Sequence, residues 1–200
     1  MREEIETGFR LNLQRVRKLV QVYRDLAGPG PGRRPVETTD VLRCAVVFLH
    51  ATLEDLLRGL LVRRWSEASD PSAFDDIPIA VGADTRNTKV TLADLASLRG
   101  KTVAEVVQAS VEAHLGRSTF NHVGEVKTAL IRSGIDAGAV GPYATEIATM
   151  MSRRHQIVHR ADRQDLPRPG NHFAASLGVL TVEGWIAAVE ALCRAIVARL

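Results

Sequence analysis

The sequence predicts an all-α fold, a bundle of about four or five long helices, and three observations lead to this prediction. Apolar residues recur at steps of three and four along several segments, as they do on the buried face of a helix. Aromatic residues are scarce, with two Trp, two Tyr and five Phe, whereas Leu, Ala and Val are plentiful, and this composition favours helices over sheets. Capping residues, glycines and prolines separate the periodic segments. The length of 200 residues, of which 46% are hydrophobic, fits a single domain that spans 1–200.

Two helices are predicted in the first third of the chain. Residues 2–27 carry apolar side chains at helical spacing between Arg and Glu residues, which is the pattern of an amphipathic helix. The apolar positions are Phe9, Leu13, Val16, Val20 and Tyr23. The Gly-Pro run at 28–32 ends this helix. The Thr-Thr-Asp sequence at 38–40 is then predicted to cap a second helix at 41–65, which is apolar on nearly every side and is expected at the centre of the bundle.

The middle of the chain, about 68–116, is predicted to be an inserted section of loop and helix. Pro, Gly and Asp residues interrupt 68–90, where the sequence allows at most a short strand-like patch at 77–81. A capping-box pattern at 102–105 predicts a helix that ends near His114.

Three helices are predicted after the inserted section, from the residues that begin or end them and from their apolar spacing. Residues 121–133 form a periodic segment that ends at Gly134, a typical C-terminal glycine. Pro142 suits the first turn of the next helix, which is predicted to run to about Ala161. The last helix, at about 181–199, again places apolar residues at helical spacing.

The formal net charge of +3 is concentrated in one segment. Residues 153–168 contain five Arg and two Asp, and the charges of the rest of the chain cancel. This distribution differs from that of proteins that coat nucleic acid, in which basic residues spread over a whole face. It predicts a localised anion site.

Arg154 is the first candidate for that site. At about 100° per residue, it falls on the same helix face as Met150, Met151 and Val158, which is expected to turn toward the core. An arginine in such a position is seldom buried without a partner or an anion. The alternatives are an ion pair with a carboxylate of a neighbouring helix, or a side chain that reaches out of the core to solvent.

His155, His159 and Asp162 form a second stripe, at positions i, i+4 and i+7. Histidine gives or takes a proton near neutral pH, and a neighbouring carboxylate can fix its tautomer. A solvated polar edge is the alternative interpretation of this spacing. Two histidines one turn apart can also chelate zinc, but no HExxH motif or acidic third ligand accompanies them, so no metal is expected. No P-loop or GxGxxG motif is present, and no cofactor is expected.

The segment from Arg154 to His159, Arg-His-Gln-Ile-Val-His, resembles the R-x4-6-H motif of the HEPN superfamily. The preceding Met-Met-Ser-Arg and the following Arg-Ala-Asp are similar to the branch called RiboL-PSP-HEPN. The resemblance is good over about 142–162, loose over 38–62 and 119–134, and absent from the inserted section.

This resemblance implies a HEPN-like helical bundle that dimerises with the motifs of its two subunits facing each other. It also implies, for catalytic members, a metal-independent endoribonuclease activity. By position, Arg154 and His159 are the catalytic pair that the resemblance implies, and His155 is their polar companion. The remaining candidates for binding or orienting the substrate are Arg153, Arg160, Asp162, Glu54 and His50.

The residue types also suit this chemistry. Cleaving RNA by attack of its own 2′-OH requires removal of that proton, protonation of the leaving 5′-oxygen and stabilisation of a phosphorane with extra negative charge. Histidine can perform the two proton transfers, and arginine can bind two phosphate oxygens through its planar guanidinium. Arg154 and His159 lie about 140° apart on one helix. A symmetric dimer is therefore expected to bring Arg154 of one chain to His159 of the other.

A polar stripe lies on the otherwise apolar second helix, and its members are Arg43, His50, Glu54 and Arg58. One interpretation is that Glu54 or His50 orients the Arg-His motif. The other is a solvated edge with an ion pair between Glu54 and Arg58.

Two hypotheses of function follow from the sequence. The first is a metal-independent endoribonuclease of toxin or stress-defence type that acts on RNA as a homodimer, with an antitoxin or regulatory protein as a further candidate partner. The alternative is a non-catalytic HEPN-like module that binds a nucleotide, RNA or a protein partner through the same basic segment. No run of about 18 apolar residues and no signal-peptide pattern is found, so a cytoplasmic location without membrane association is expected.

Overall fold

The computed structural model describes residues 2–28, 34–68, 70–81, 90–163 and 174–200. Seven α-helices lie in these ranges, and no β-strand is found in them. The α-helices are α1 (Arg2–Ala27), α2 (Val36–Ser66), α3 (Leu92–Ser97), α4 (Val103–Gly116), α5 (Val123–Arg132), α6 (Ala144–Arg160) and α7 (Val179–Val197). Two short 3-10 helices are Pro71–Phe74 and Ala137–Tyr143. The predicted all-α bundle is confirmed. Among the described residues, no helix has both the length and the apolar composition needed to cross a lipid bilayer.

The second helix, α2, is the centre of the bundle, as its sequence predicts. It packs against α1, α4, α5, α6 and α7. It begins at Val36, earlier than predicted, because Pro35 precedes it with φ −54° and proline lacks the N–H that would find no partner at a helix start. The predicted cap at 38–40 is therefore wrong. Thr39 lies inside the first turn, where its hydroxyl donates to the Val36 carbonyl at 2.8 Å.

The first and last helices, α1 and α7, pack against α2 and against each other. The five apolar residues predicted for the inner face of α1 are all buried, so this face is confirmed. The buried face of α7 includes Trp185, Val189 and Cys193. Together with α2, these helices form the centre of a hydrophobic core that extends to α4, α5 and α6.

The inserted section joins this core through α4, which packs on α2. The predicted capping box is present, because the Thr102 hydroxyl accepts a hydrogen bond from the Glu105 N–H and the Glu105 carboxylate accepts one from the Thr102 N–H. The helix buries Val111 and Leu115 and ends at Gly116, slightly beyond the predicted end.

No strand forms at 77–81, where the sequence allowed a short one. The main chain there lies close to α4 instead, and the N–H of Ala80 donates to the Ser110 hydroxyl at 2.9 Å. Two parts of the predicted loop, residue 69 and residues 82–89, lie outside the described residues.

The helix that carries the Arg-His motif, α6, is shorter than predicted at both ends. Pro142 lies in the 3-10 helix that precedes α6, rather than in the first turn of α6. The α-helix itself begins at Ala144 and ends at Arg160. Ala161 follows with a φ of 48°, in the left-handed region, and this ends the helix.

Candidate functional site

The apolar face of α6 leaves the core before the helix ends. Ile147, Met150 and Met151 are buried, but Val158 is 48% exposed. The expectation that this face continues into the core as far as Val158 is therefore wrong. Arg154 lies at the point where the face emerges, and its side chain is half-buried.

Arg153 points to a different set of partners. Its Nη2 donates to the Asp162 carboxylate at 2.7 Å and to the carbonyls of Ala175 and Ser176 at 2.9 and 3.0 Å. Its Nε is buried and has no hydrogen-bond partner. Because its charge is balanced by Asp162, Arg153 is a structural residue in this arrangement rather than a cation facing solvent.

Asp162 binds a second arginine, from α2. Arg43 donates from Nε to the same carboxylate oxygen at 2.6 Å and from Nη2 to the Ala175 carbonyl at 2.7 Å. We call Arg43, Arg153 and Asp162 the Asp162 clamp. The clamp joins the start of α2, the end of α6 and the segment that leads to α7. Asp162 is only 1% exposed, so its charge is buried together with those of the two arginines.

The predicted stripe of His155, His159 and Asp162 on one helix face is wrong, because Asp162 does not lie on that face. The i+7 position assumes that the helix continues, but Ala161 and Asp162 have φ values of 48° and 55°. The chain turns inward there, and the Asp162 N–H donates to the Gln156 carbonyl at 3.1 Å. The Asp162 carboxylate is consequently bound by two arginines and by neither histidine.

His155 and His159 lie on the exposed side of α6, one turn apart. Their ring centroids are 4.6 Å apart and their planes are inclined by 46°. Arg160 is exposed in the same last turn. The histidine rings are thus open to solvent and close enough to contact one ligand together.

Arg154 has no carboxylate partner in the part of the chain that the structure describes. Its Nη1 donates to the Asn121 side-chain oxygen at 3.4 Å, and its Nε is buried without a hydrogen-bond partner. No carboxylate oxygen among the described residues lies within 4.0 Å of its guanidinium. The predicted alternative of an ion pair with a neighbouring helix is therefore not found there. A half-buried guanidinium without a carboxylate partner can bind an anion.

The polar stripe of α2 is buried, so the predicted solvated edge is wrong. His50 is 1% and Glu54 9% exposed. These side chains hold the segment between α4 and α5: the Glu54 carboxylate accepts from the Phe120 N–H at 3.1 Å, and the His50 Nε2 lies 2.9 Å from the Phe120 carbonyl. Arg58 donates to the carbonyls of Leu115 and Ser118 at 3.2 and 2.8 Å. The predicted pair between Glu54 and Arg58 is present at 3.4 Å.

His50 is held in its neutral form. Burial lowers the pKa of His50 most strongly, and the charges of Arg154 and Arg58 lower it further, whereas Glu54 and the Phe120 carbonyl act in the opposite direction. A neutral ring that bonds the Phe120 carbonyl carries its proton on Nε2 and leaves Nδ1 4.0 Å from the Glu54 carboxylate.

His50 and Glu54 reach Arg154 indirectly, through the main chain. They hold Phe120, and the next residue, Asn121, accepts the hydrogen bond from Arg154. No sequence pattern assigns Asn121 a role. Its only signal was the loose resemblance around 119–134, which does not distinguish it from its neighbours.

Comparisons of the chain with models of protein families, with curated proteins and with solved structures give no match in any of the three. The described residues form an all-α bundle in which one helix carries, near its end, two exposed histidines and an arginine that has no carboxylate partner among these residues. In the described ranges, no group of three or more His, Cys, Asp or Glu side chains is placed to hold a metal ion. The chemistry that this arrangement supports is anion binding combined with proton transfer.

Replacing Asp162→Asn is expected to destabilise the protein by about 3–5 kcal/mol, because it leaves two arginines near a neutral amide in a buried position. Asp40→Asn is the matched control, since Asp40 bonds the same Arg43 at 3.1 Å but has a 57% exposed side chain. That control should cost less than about 1 kcal/mol. Urea unfolding measures both, and equal losses would contradict a buried clamp.

Acidification is expected to lower the free energy of unfolding through His50. Below the unfolded pKa of about 6.5 the unfolded chain binds a proton at this position, whereas the folded chain, with its lowered pKa, does not. Stability is therefore lost from about pH 6.5 down to the lowered pKa of His50. Urea unfolding between about pH 8 and pH 5 should show a flatter profile for His50→Gln than for wild type and for the exposed-site control His155→Gln. Parallel profiles for all three proteins would refute this origin of the pH dependence.

Proposed function

We propose that the protein is a metal-independent endoribonuclease that acts as a homodimer, in the cytoplasm, as a toxin or stress-defence enzyme. The observation that carries the proposal is the different surroundings of two adjacent arginines. Arg153 is bound to a buried carboxylate, whereas Arg154 has none among the described residues and lies on the helix that exposes His155 and His159. A half-buried arginine with a purely structural role is seldom without a carboxylate partner.

The proposed reaction assigns each group a role that its surroundings permit. One histidine, in its neutral form, accepts the proton of the 2′-OH as the 2′-oxygen attacks the phosphorus. The other, protonated, donates a proton to the leaving 5′-oxygen. His159 and His155 are the candidates because both rings are exposed. Arg154 donates two N–H groups to the non-bridging oxygens, where negative charge increases in the transition state.

The geometry of α6 is the reason to propose a dimer. Residues 154 and 159 lie about 140° apart around the helix axis, so one chain does not direct both side chains at one phosphate. Two α6 helices related by a two-fold axis place Arg154 of each chain opposite His159 of the other. An antitoxin or regulatory protein that covers this face would block the site.

Substitution of Arg154→Ala is expected to reduce RNA cleavage by about 10²–10³-fold, and His159→Ala by about 10²–10⁴-fold. Lys18→Ala, at an exposed position on α1, removes the same charge as Arg154→Ala and should leave the rate unchanged. Purified proteins are incubated with structured RNA in EDTA, and the product ends are analysed for 2′,3′-cyclic phosphate. Cleavage that disappears in EDTA, or that is unaffected by His159→Ala, would refute the mechanism. RNA binding without cleavage by the wild type would favour the non-catalytic module.

Mixing the two inactive variants is expected to restore activity. A dimer of one Arg154→Ala chain and one His159→Ala chain has one site with both groups and one with neither. Random exchange should thus recover about a quarter of the wild-type rate, because half of the dimers are mixed and each has one complete site. The mixture is refolded together and compared with each variant refolded alone. No recovery, with exchange verified by differently tagged chains, would show that the site does not combine Arg154 and His159 from two subunits.

A further inference from the structure

A pocket of about 190 Å³ lies between α2, α4 and α5. Its walls come from Trp65 on α2, His114 on α4, the segment 118–120 and Arg132 on α5. It has no part in the proposed cleavage chemistry, and its volume suits one small planar group.

The pocket is lined by planar side chains. The Arg132 guanidinium lies 5.0 Å from the centroid of the Trp65 ring, and the His114 ring centroid lies 6.1 Å from it on an inclined plane. Burial lowers the pKa of His114 below its usual value, so this ring is a neutral aromatic group near pH 7. Arginine and aromatic planes together are the surfaces on which nucleic-acid bases stack.

Hydrogen-bond acceptors also line the pocket. The hydroxyls of Ser118 and Thr128 donate to the carbonyls of His114 and Gly124, at 3.3 and 3.1 Å. Their oxygens keep lone pairs that can accept from a base N–H group. The pocket therefore combines flat surfaces with polar atoms, as a base requires.

The pocket and Arg154 are connected by one short segment. Thr119 and Phe120 line the pocket, and the next residue, Asn121, bonds to Arg154. Glu54 and His50 hold Phe120 on both its N–H and its carbonyl, which keeps this segment in place.

We infer that this pocket is a base subsite, which binds one nucleobase of the RNA whose phosphate contacts Arg154. The inference rests on the proposed function for the phosphate at Arg154. The base stacks beside Arg132 and His114, and the RNA backbone continues past Asn121 to Arg154. Because stacking accepts any base, the subsite contributes affinity more than sequence preference.

The test compares the four nucleoside 5′-monophosphates with ribose 5-phosphate, which lacks a base, by calorimetry and by tryptophan fluorescence. Wild type should bind nucleoside monophosphates at least about tenfold more tightly than ribose 5-phosphate, as expected for one stacked base. Arg132→Ala should remove this ratio. Arg132→Lys, which keeps the charge but not the planar group, should remove it as well. Arg154→Ala should leave this ratio unchanged.

Equal affinity of wild type for both classes, or no measurable nucleotide binding, overturns the base subsite. If the Arg132→Lys variant unfolds thermally like wild type and still binds nucleoside monophosphates more tightly than ribose 5-phosphate, the stacking at Arg132 is refuted. These results are separable from the test of the enzyme. If wild type binds nucleoside monophosphates more tightly than ribose 5-phosphate but cleaves no RNA, the subsite is supported and the proposed function is refuted. If it cleaves RNA but binds both classes equally, the proposed function is supported and the subsite is refuted.

Discussion

The buried carboxylate of Asp162, bound by Arg43 and Arg153, is the interaction on which the arrangement of the site depends. It ties α2 and α6 to the segment before α7, and both arginines also bind the Ala175 carbonyl. Burying one carboxylate with two guanidinium groups is costly unless their hydrogen bonds are made. Both arginines bind Asp162 Oδ2, whereas Asp162 Oδ1 and the Arg153 Nε are buried without a hydrogen-bond partner among the described residues. The clamp fixes where α6 ends and which side of its last turns is exposed.

The clamp also explains why two neighbouring arginines differ. Successive residues of a helix project about 100° apart. When Arg153 faces the clamp, Arg154 turns toward Asn121, and the next residue, His155, is exposed. Of these two arginines of the basic segment, one thus has a structural role and the other has no carboxylate partner in the described ranges.

The central helix α2 holds the surroundings of Arg153 and Arg154 at two places along its length. Near its start, Arg43 holds the connection that follows α6. Two turns further on, His50 and Glu54 hold the connection before α5, so Arg154 lies beside a fixed segment on that side. The polar side chains of α2 are buried because they satisfy main-chain groups of these connections, which would otherwise lack partners.

Local patterns in the sequence were sufficient for the helices, since the buried face of α1 and the capping box of α4 depend on residues close in the chain. The start of α2 was misplaced because Pro35 supplies a start without a side-chain cap. The arrangement of the site was harder to predict from the sequence. Helical periodicity singled out Arg154, but it could not show that Arg153 binds Asp162, because that contact depends on the turn after the helix. The left-handed turn at Ala161 contains no glycine or asparagine that would predict it. The burial of His50 and Glu54 depends on a segment far along the chain, so periodicity within α2 could not show it.

Anion binding at Arg154 is tested by following the arginine Nε–H resonances by NMR while inorganic phosphate is added. A saturable shift of the Arg154 signal is expected, with no comparable shift of Arg153 or Arg43, which are bound to Asp162. Assignment rests on Arg→Lys variants at the three positions. An Arg154 signal that does not respond, or an Arg153 signal that moves equally, would contradict the claim that Arg154 is the anion-binding residue of the pair.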